Sequence, residues 1–138
     1  MTVKSRLLEL LEQHKGETLS GEDIGRELSC TRAAVWKAVN SLRQEGYPIE
    51  AGPNKGYMLA RESNLISAEG IRLFLDDPQV EIKIFDAISS TNLEARQLAV
   101  SGMAGHGSFV VAMEQTAGRG RRGREFYSPK GNGIYLSV

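Results

Sequence analysis

The apolar residues of the first third of the chain recur at helical spacing in three segments. These segments span residues 3–14, 20–28 and about 31–45. Ser20 and Thr31 each stand where they can cap the helix that follows, and Ser20 has an acid three residues later, as in a capping box. Two helices separated by a turn of three or four residues are typical of a helix-turn-helix, predicted here at about 20–45.

Residues 49–59 form two short strand-like pieces around the turn Gly52-Pro53-Asn54-Lys55. Glycine, proline and asparagine favour turns, and the flanking pieces favour a hairpin. A hairpin after a helix-turn-helix, with a basic tip at Lys55, is typical of a wing that follows the sugar-phosphate backbone. The pattern therefore predicts a winged helix-turn-helix with its wing at about 49–59.

Basic side chains collect on the second helix of the predicted pair. Residues 31–44 contain three bases and no acid, together with amide and hydroxyl groups that can contact base edges or phosphates. A three-helix bundle with a solvated basic surface is the alternative. Trp36 is flanked by core positions, so we expect it to pack with its indole N–H at the surface rather than to wedge into DNA. The DNA-binding candidates are Thr31, Arg32, Lys37, Asn40 and Lys55.

Helices and strands alternate in the rest of the chain. A polar, irregular stretch at 61–66 predicts a boundary between domains 1–62 and 63–138. Beyond it, Ser67 can cap a short helix, strands are predicted at 80–86, 108–114 and 134–138, and a helix at 93–100. The predicted fold class is α+β, with an N-terminal winged helix-turn-helix followed by a mixed α/β domain.

Composition narrows the class of protein. The 138 residues carry 17 basic and 17 acidic side chains, and the 41% hydrophobic content is typical of a folded globular protein. Cys30 is the single cysteine, which excludes an internal disulfide and a cysteine-based zinc cluster. The apolar runs are too short to cross a bilayer and the N-terminus has no apolar signal region, so we expect a cytoplasmic protein with no membrane partner.

A run of glycines and arginines, Gly118–Arg124, follows the second predicted strand. Its Gly-x-Gly-x-x-Gly spacing matches a dinucleotide-binding turn, but that turn requires a helix directly after the glycines, and residues 126–129 favour strand or loop. The Gly-Lys-Ser/Thr of a P-loop is also absent. Four guanidinium groups among flexible glycines predict a loop that is mobile until it binds an anion. A merely basic surface loop, or a nucleic-acid-binding Arg/Gly segment, is the alternative.

Ser90, Thr91 and Asn92 precede the helix predicted at 93–100. Residues of these types commonly cap helices, and capping alone would explain them. Their spacing by itself therefore predicts a helix start and leaves a binding role open.

Taken together, these motifs resemble the bifunctional biotin protein ligases that also act as biotin operon repressors. The resemblance extends along nearly all 138 residues. It implies that residues 63–138 are the first part of a class II synthetase-like catalytic domain. The motifs that carry it are the Ser20-Gly-Glu-Asp and Thr31–Lys37 segments, the Gly-Pro-Asn-Lys-Gly-Tyr wing, Ser90-Thr91-Asn92, and Gly118–Arg124 followed by Ser128-Pro129.

The resemblance implies a two-step reaction on biotin and ATP. The biotin carboxylate attacks the α-phosphate to give biotinyl-5'-AMP, which then acylates a lysine of a biotin carboxyl carrier protein. Mg²⁺ is expected with the ATP, and no protein metal ligand is assigned. Fixed guanidinium groups suit this step because they screen the repulsion between two anions. The positions that match the biotin site are Ser90, Thr91, Asn92 and Gln115; those that match the ligand loop are Arg119, Gly120 and Arg121, with Arg119 and Arg121 as catalytic candidates.

A regulatory role is also implied. In such repressors biotinyl-5'-AMP is the corepressor: it orders loops at a dimerisation surface, and the homodimer places two winged helices on palindromic operator DNA. The ligand must then bind the dimerising state better than the monomeric one.

The sequence stops at Val138, before the positions where the family has its catalytic lysine, the rest of its adenine pocket and its C-terminal β domain. We therefore expect a fragment or a truncated product, inactive as a ligase by itself. Two alternatives remain open: a DNA-binding regulator that lacks ligase activity because of the truncation, and a domain used only for interactions.

Overall fold

The computed structural model describes residues 1–52 and 55–138 and contains two compact units, Met1–Leu75 and Asp76–Val138. Pro53 and Asn54, in the turn of the predicted wing, lie outside the described residues. The contacts divide the chain after Leu75, and the domain boundary predicted after residue 62 stays a prediction. Within the described residues, no helix combines the length and apolar character needed to cross a membrane.

The first unit contains the predicted three helices and hairpin, followed by a further short helix. Thr2, Ser20 and Thr31 each accept a hydrogen bond at the side-chain hydroxyl oxygen from a backbone N–H three residues on, so the caps predicted at Ser20 and Thr31 are confirmed. The elements are α1 (Val3–Gln13), α2 (Gly21–Glu27), α3 (Arg32–Gln44), β1 (Ile49–Gly52), β2 (Gly56–Leu59) and α4 (Ala68–Arg72).

One apolar core holds the first unit together. The inner faces of α1 and α3 meet there, with contributions from α2 and from one residue of each strand. This burial follows from the helical spacing of the leucines and valines, since residues three and four apart share a helix face. Its fully buried members are Leu7, Leu11, Ile24, Val35, Val39, Leu42 and Leu59.

Helix α4 docks on α1 through polar groups. The Ser67 hydroxyl caps α4 by accepting from the Gly70 N–H at 2.9 Å, and it also lies 3.4 Å from the Glu12 carboxylate. Lys15 donates to the Ser63 carbonyl oxygen at 2.6 Å. The cap predicted at Ser67 is thus confirmed, and the helix it begins belongs by its contacts to the first unit.

The second unit is a three-stranded mixed sheet with one helix. Its strands lie in the order β3-β4-β5, with β3 parallel to β4 and β4 antiparallel to β5. Helix α5 connects the two parallel strands and contacts β4 and β5. The elements are β3 (Ile82–Phe85), α5 (Thr91–Val100), β4 (Phe109–Ala112) and β5 (Tyr135–Ser137). Each lies within or next to its predicted segment, and the predicted α+β class is confirmed.

Candidate functional site: the outer face of α3 and a hydrogen-bond network in the second unit

The first turn of α3 lies beside the first turn of α2. The Thr31 hydroxyl caps α3, accepting from the Ala34 N–H at 3.2 Å, while the Arg32 guanidinium lies 2.9 Å from the Glu22 carboxylate. Residues 31–44 contain no acid, but the turn brings Glu22, ten positions before Arg32, back to α3. Both side chains of the ion pair are mostly exposed, so the pair is weak and Arg32 can exchange it for another anion.

The exposed face of α3 carries a large aromatic side chain. Trp36 is 61% exposed, so the prediction that it packs into the structure is wrong. Its neighbour Val35 faces the core, but successive helix residues are about 100° apart, and one step places Trp36 on the outer face. Lys37 is also exposed, and Asn40 is partly buried. Arg43 instead donates to the Ile49 carbonyl oxygen at 2.8 Å and so holds the hairpin.

The hairpin is fixed to the start of α2 by main-chain atoms. Leu19 and Tyr57 exchange two backbone hydrogen bonds, at 2.9 and 2.8 Å. Gly56, which directly precedes Tyr57, has a φ of +88°, and a Cβ atom there would lie 2.0 Å from the Leu19 carbonyl oxygen. The antiparallel hairpin predicted at 49–59 is confirmed, and Lys55 is exposed beside the undescribed turn.

In the second unit, backbone pairing beyond the strand ends brings three segments together. Gln115, which follows β4, pairs with Ile88 on one side and with Ser128 on the other. The Gln115 N–H donates to the Ser128 carbonyl oxygen at 3.0 Å, and the Thr116 N–H donates to that of Ile88 at 2.9 Å. The start of α5, the segment after β4 and the segment after the glycines therefore meet at one place.

A hydrogen-bond network links the side chains at this place. The backbone N–H and the hydroxyl of Thr91 both donate to Gln115 Oε1, at 2.9 and 3.1 Å. Gln115 Nε2 donates to the Ser128 hydroxyl oxygen at 3.0 Å, and Ser128 donates to the Phe126 carbonyl oxygen at 3.0 Å. Thr91 and Ser128 are 4% and 2% exposed, so the amide of Gln115 is held between groups withdrawn from solvent.

The network continues into β5. The Ser137 hydroxyl lies 2.9 Å from Thr91 Oγ1 and 2.6 Å from Asn92 Oδ1, and its one proton serves one of these contacts at a time. Ser90 is 2% exposed and holds the N-cap position of α5 without a side-chain capping bond. Capping alone therefore does not account for Ser90-Thr91-Asn92.

The glycine-arginine segment is a closed turn. The Phe126 N–H donates to the Gly118 carbonyl oxygen at 2.8 Å, and the Gly120 N–H donates to that of Arg124 at 2.7 Å. A short 3₁₀ turn, Arg121–Gly123, forms the tip. No helix follows the glycines, which agrees with the exclusion of a dinucleotide-binding turn. Whether the segment is mobile before it binds an anion stays a prediction.

The predicted ligand residues line different cavities. Gln115 and Arg119 line one cavity of about 730 Å³, together with Ser128. Gly120 and Arg121 line another of about 970 Å³ on the same turn, and Asn92 lines a third of about 520 Å³. Among the described residues, none of the four guanidinium groups of the turn is in a salt bridge, so they are available to an anion.

Sequence reasoning missed Ser128 and Ser137 as site residues. In the sequence, Ser128 is part of a motif and Ser137 is one position in a predicted strand. The signal available for Ser137 was its polar side chain in an otherwise apolar strand, on a face shared with its register partner Val110.

Two known protein families match different parts of the chain. Residues 3–58 match the HTH domain family, and residues 84–138 match the biotin/lipoate A/B protein ligase family. The chain is 42% identical to the bifunctional ligase/repressor BirA of Bacillus spizizenii over 99% of its own length and 42% of the relative, and 39% identical to BirA of Escherichia coli, over 99% and 41%. It thus spans about 42% of the length of the curated relatives it matches.

Among solved structures, the biotin protein ligase of Leishmania major in complex with biotinyl-5-AMP matches at 43% sequence identity. The match covers 41% of this chain and 22% of that one, with a TM-score of 0.36.

Proposed function

We propose that the chain provides the DNA-binding part and the first ligand-binding part of a biotin-responsive repressor and biotin protein ligase. The matches to the HTH domain family and to the biotin/lipoate A/B protein ligase family support this proposal. The observation that carries the proposal is the hydrogen-bond network around Gln115, two of whose members, Gln115 and Ser128, line the same cavity as Arg119. Neutral hydrogen-bonding groups and a guanidinium thus lie side by side, as a ligand with a polar ring and a phosphate requires.

On the ligand side, the neutral groups serve biotin. Hydroxyl and amide groups of Ser90, Thr91, Asn92 and Gln115 would pair with its ureido ring, while Arg119, Gly120 and Arg121 would hold the phosphate of the adenylate. In the first step the biotin carboxylate oxygen attacks the α-phosphorus of ATP, and the bond to the leaving pyrophosphate breaks. Arg119 and Arg121 would stabilise the negative charge that develops there.

Mg²⁺ would enter with ATP rather than through protein ligands. Within the described residues, no three His, Cys, Asp or Glu side chains are grouped to hold a metal ion. The turn itself offers four guanidinium groups and the carboxylate of Glu125. Since Mg²⁺ is commonly bound through substrate phosphates, the triphosphate is its natural site here.

On the DNA side, α3 and the hairpin would face the duplex. Thr31, Arg32, Lys37 and Asn40 would contact operator DNA from α3, and Lys55 from the wing. Biotinyl-5'-AMP would act as corepressor by favouring a homodimer that binds a palindromic operator, and the carrier protein's lysine would be the second substrate. The four guanidinium groups of the glycine-arginine turn support this proposal, because a ligand that binds and orders the turn can bias an assembly step.

Two assays test the proposal. Calorimetric titration should show that the chain binds biotinyl-5'-AMP, and that Arg121→Ala weakens binding about tenfold or more through loss of a charge-assisted hydrogen bond. Equal affinity in Arg121→Ala would contradict the role of the turn. Incubation with biotin and α-labelled ATP then shows whether the chain forms the adenylate by itself.

Gel shifts with the cognate operator test the DNA-binding half. The Arg32→Ala, Lys37→Ala, Lys55→Ala triple variant should bind with lower affinity and a shallower salt dependence. An unchanged shift would reject the interface. Operator binding without adenylate formation would instead favour a DNA-binding regulator that lacks ligase activity.

A further inference from the structure

Gln115 has a fixed amide orientation, and that orientation can be deduced from its partners. A backbone N–H can only donate, so the atom that lies 2.9 Å from the Thr91 nitrogen must be the amide oxygen. That same oxygen also accepts from the Thr91 hydroxyl at 3.1 Å. Both of its lone pairs are then in use, and the amide nitrogen must face Ser128.

Ser128 has its own hydrogen-bond direction fixed as well. Its hydroxyl oxygen accepts from Gln115 Nε2 at 3.0 Å, and its single proton goes to the Phe126 carbonyl oxygen, also at 3.0 Å. Phe126 in turn donates its N–H to the Gly118 carbonyl oxygen. Ser128 therefore joins the amide of Gln115 to the base of the glycine-arginine turn.

Gly118 leaves the space that this arrangement needs. A Cβ atom there would lie 2.5 Å from the Phe126 carbonyl oxygen, 2.7 Å from the Ser128 hydroxyl oxygen and 3.2 Å from Gln115 Nε2. These three hydrogen-bonding atoms therefore surround the Gly118 Cα so closely that only glycine fits at this position.

From this geometry we infer that Ser128 is a positioning residue of the ligand site: it sets the amide of Gln115 so that one remaining N–H is offered to an acceptor atom of the ligand. The inference rests on the proposed function, because the ligand is taken to be biotin or its adenylate. Ser128 acts through Gln115 and is not required to touch the ligand itself.

A double-mutant cycle on biotin affinity tests the inference. Ser128→Ala should weaken biotin binding about five- to tenfold, the usual effect of one lost hydrogen bond, but should have less than a twofold effect in the Gln115→Ala background. Ser128→Thr, which keeps a hydroxyl, should restore most of the affinity. Ser101→Ala is the matched control, because it also removes a hydroxyl bonded to a carbonyl oxygen, that of Leu98, but lies outside the network. An equal loss in both backgrounds would overturn the positioning role.

A measurement without ligand separates this inference from the proposed function. In the wild-type chain, NMR should show cross-peaks between the Gln115 side-chain amide protons and the Ser128 β-protons, and the two amide protons should differ in chemical shift more than those of free glutamine. Absence of these cross-peaks would overturn the inference even if biotin binds. If they are present but biotin does not bind to the wild-type chain, the proposed ligand is wrong and the orientation of Gln115 stands.

Discussion

Replacing Gly118 by alanine should disturb both the fold and the ligand site of the second unit. The added methyl carbon would lie 2.5 Å from the Phe126 carbonyl oxygen, and real Cβ atoms essentially never come closer than 3.0 Å to another heavy atom. Because this oxygen belongs to the main chain and is already bonded to Ser128, it cannot move aside without breaking that bond. The turn must therefore open at its base.

The expected cost can be worked out from these contacts. Overpacking of this kind costs about 1–3 kcal/mol, and one further lost hydrogen bond costs about 1 kcal/mol. A total of about 3 kcal/mol corresponds to a fall in Tm of roughly 12–24 °C for a domain of this size. We therefore expect calorimetry to show a lower Tm for the unit Asp76–Val138. Titration should show at least tenfold weaker binding of biotinyl-5'-AMP.

Gly120→Ala provides the matched control for stability. Gly120 lies in the same turn, but the atom nearest to its new Cβ, the Arg124 carbonyl oxygen, would be 3.4 Å away, which is ordinary van der Waals contact. Its Tm should stay within about 4 °C of the wild type, as for other changes away from buried features, which cost at most about 0.5 kcal/mol. Equal Tm values for Gly118→Ala and the wild type would refute the reasoning, since the close approach at the base of the turn would then be absent in solution.

Three other changes test other parts of the molecule. Gly56→Ala should destabilise the first unit by at least about 3 kcal/mol in urea unfolding, because a Cβ would meet the Leu19 carbonyl oxygen at 2.0 Å and the φ of +88° is strained for alanine; a cost below 1 kcal/mol would contradict it. Lys37→Ala should reduce the slope of log affinity against log salt for operator DNA by about one, whereas Lys83→Ala should not. Burial and, secondarily, the nearby Glu69 raise the pKa of Tyr47, so its neutral form is favoured in the folded state. Stability should therefore fall as pH rises through 10 and beyond, and Tyr47→Phe should unfold less readily there; identical alkaline unfolding curves would count against this.

Local features of the first unit could be predicted from sequence because short-range physics determines them. The caps at Ser20 and Thr31 depend on residues three positions apart, and the core faces of α1 and α3 follow from helical periodicity. The exposure of Trp36 could also have been deduced from that periodicity, had its angle on the helix been counted instead of its neighbours in sequence. The pairing of Glu22 with Arg32 depends on how the turn folds back, and composition carries no information about that.

The ligand site was predictable only in part. The motifs indicated Thr91 and Gln115 separately, through resemblance, but their contact joins residues 24 positions apart and depends on the parallel pairing of β3 and β4. Ser128 and Ser137 were missed for the same reason: serine is common in loops and strand ends, and only the folded chain shows that these hydroxyls bond to the predicted residues. Their roles therefore depend on tertiary structure.

The two reciprocal bonds between Leu19 and Tyr57 are made entirely by peptide groups. Substitutions of either side chain leave those donors and acceptors in place, so the angle between hairpin and helices is protected against most point mutations. Under the proposed function, exposed positions on α3 can then change toward a different operator without altering how the hairpin is held against the helices, as long as Gly56 is kept.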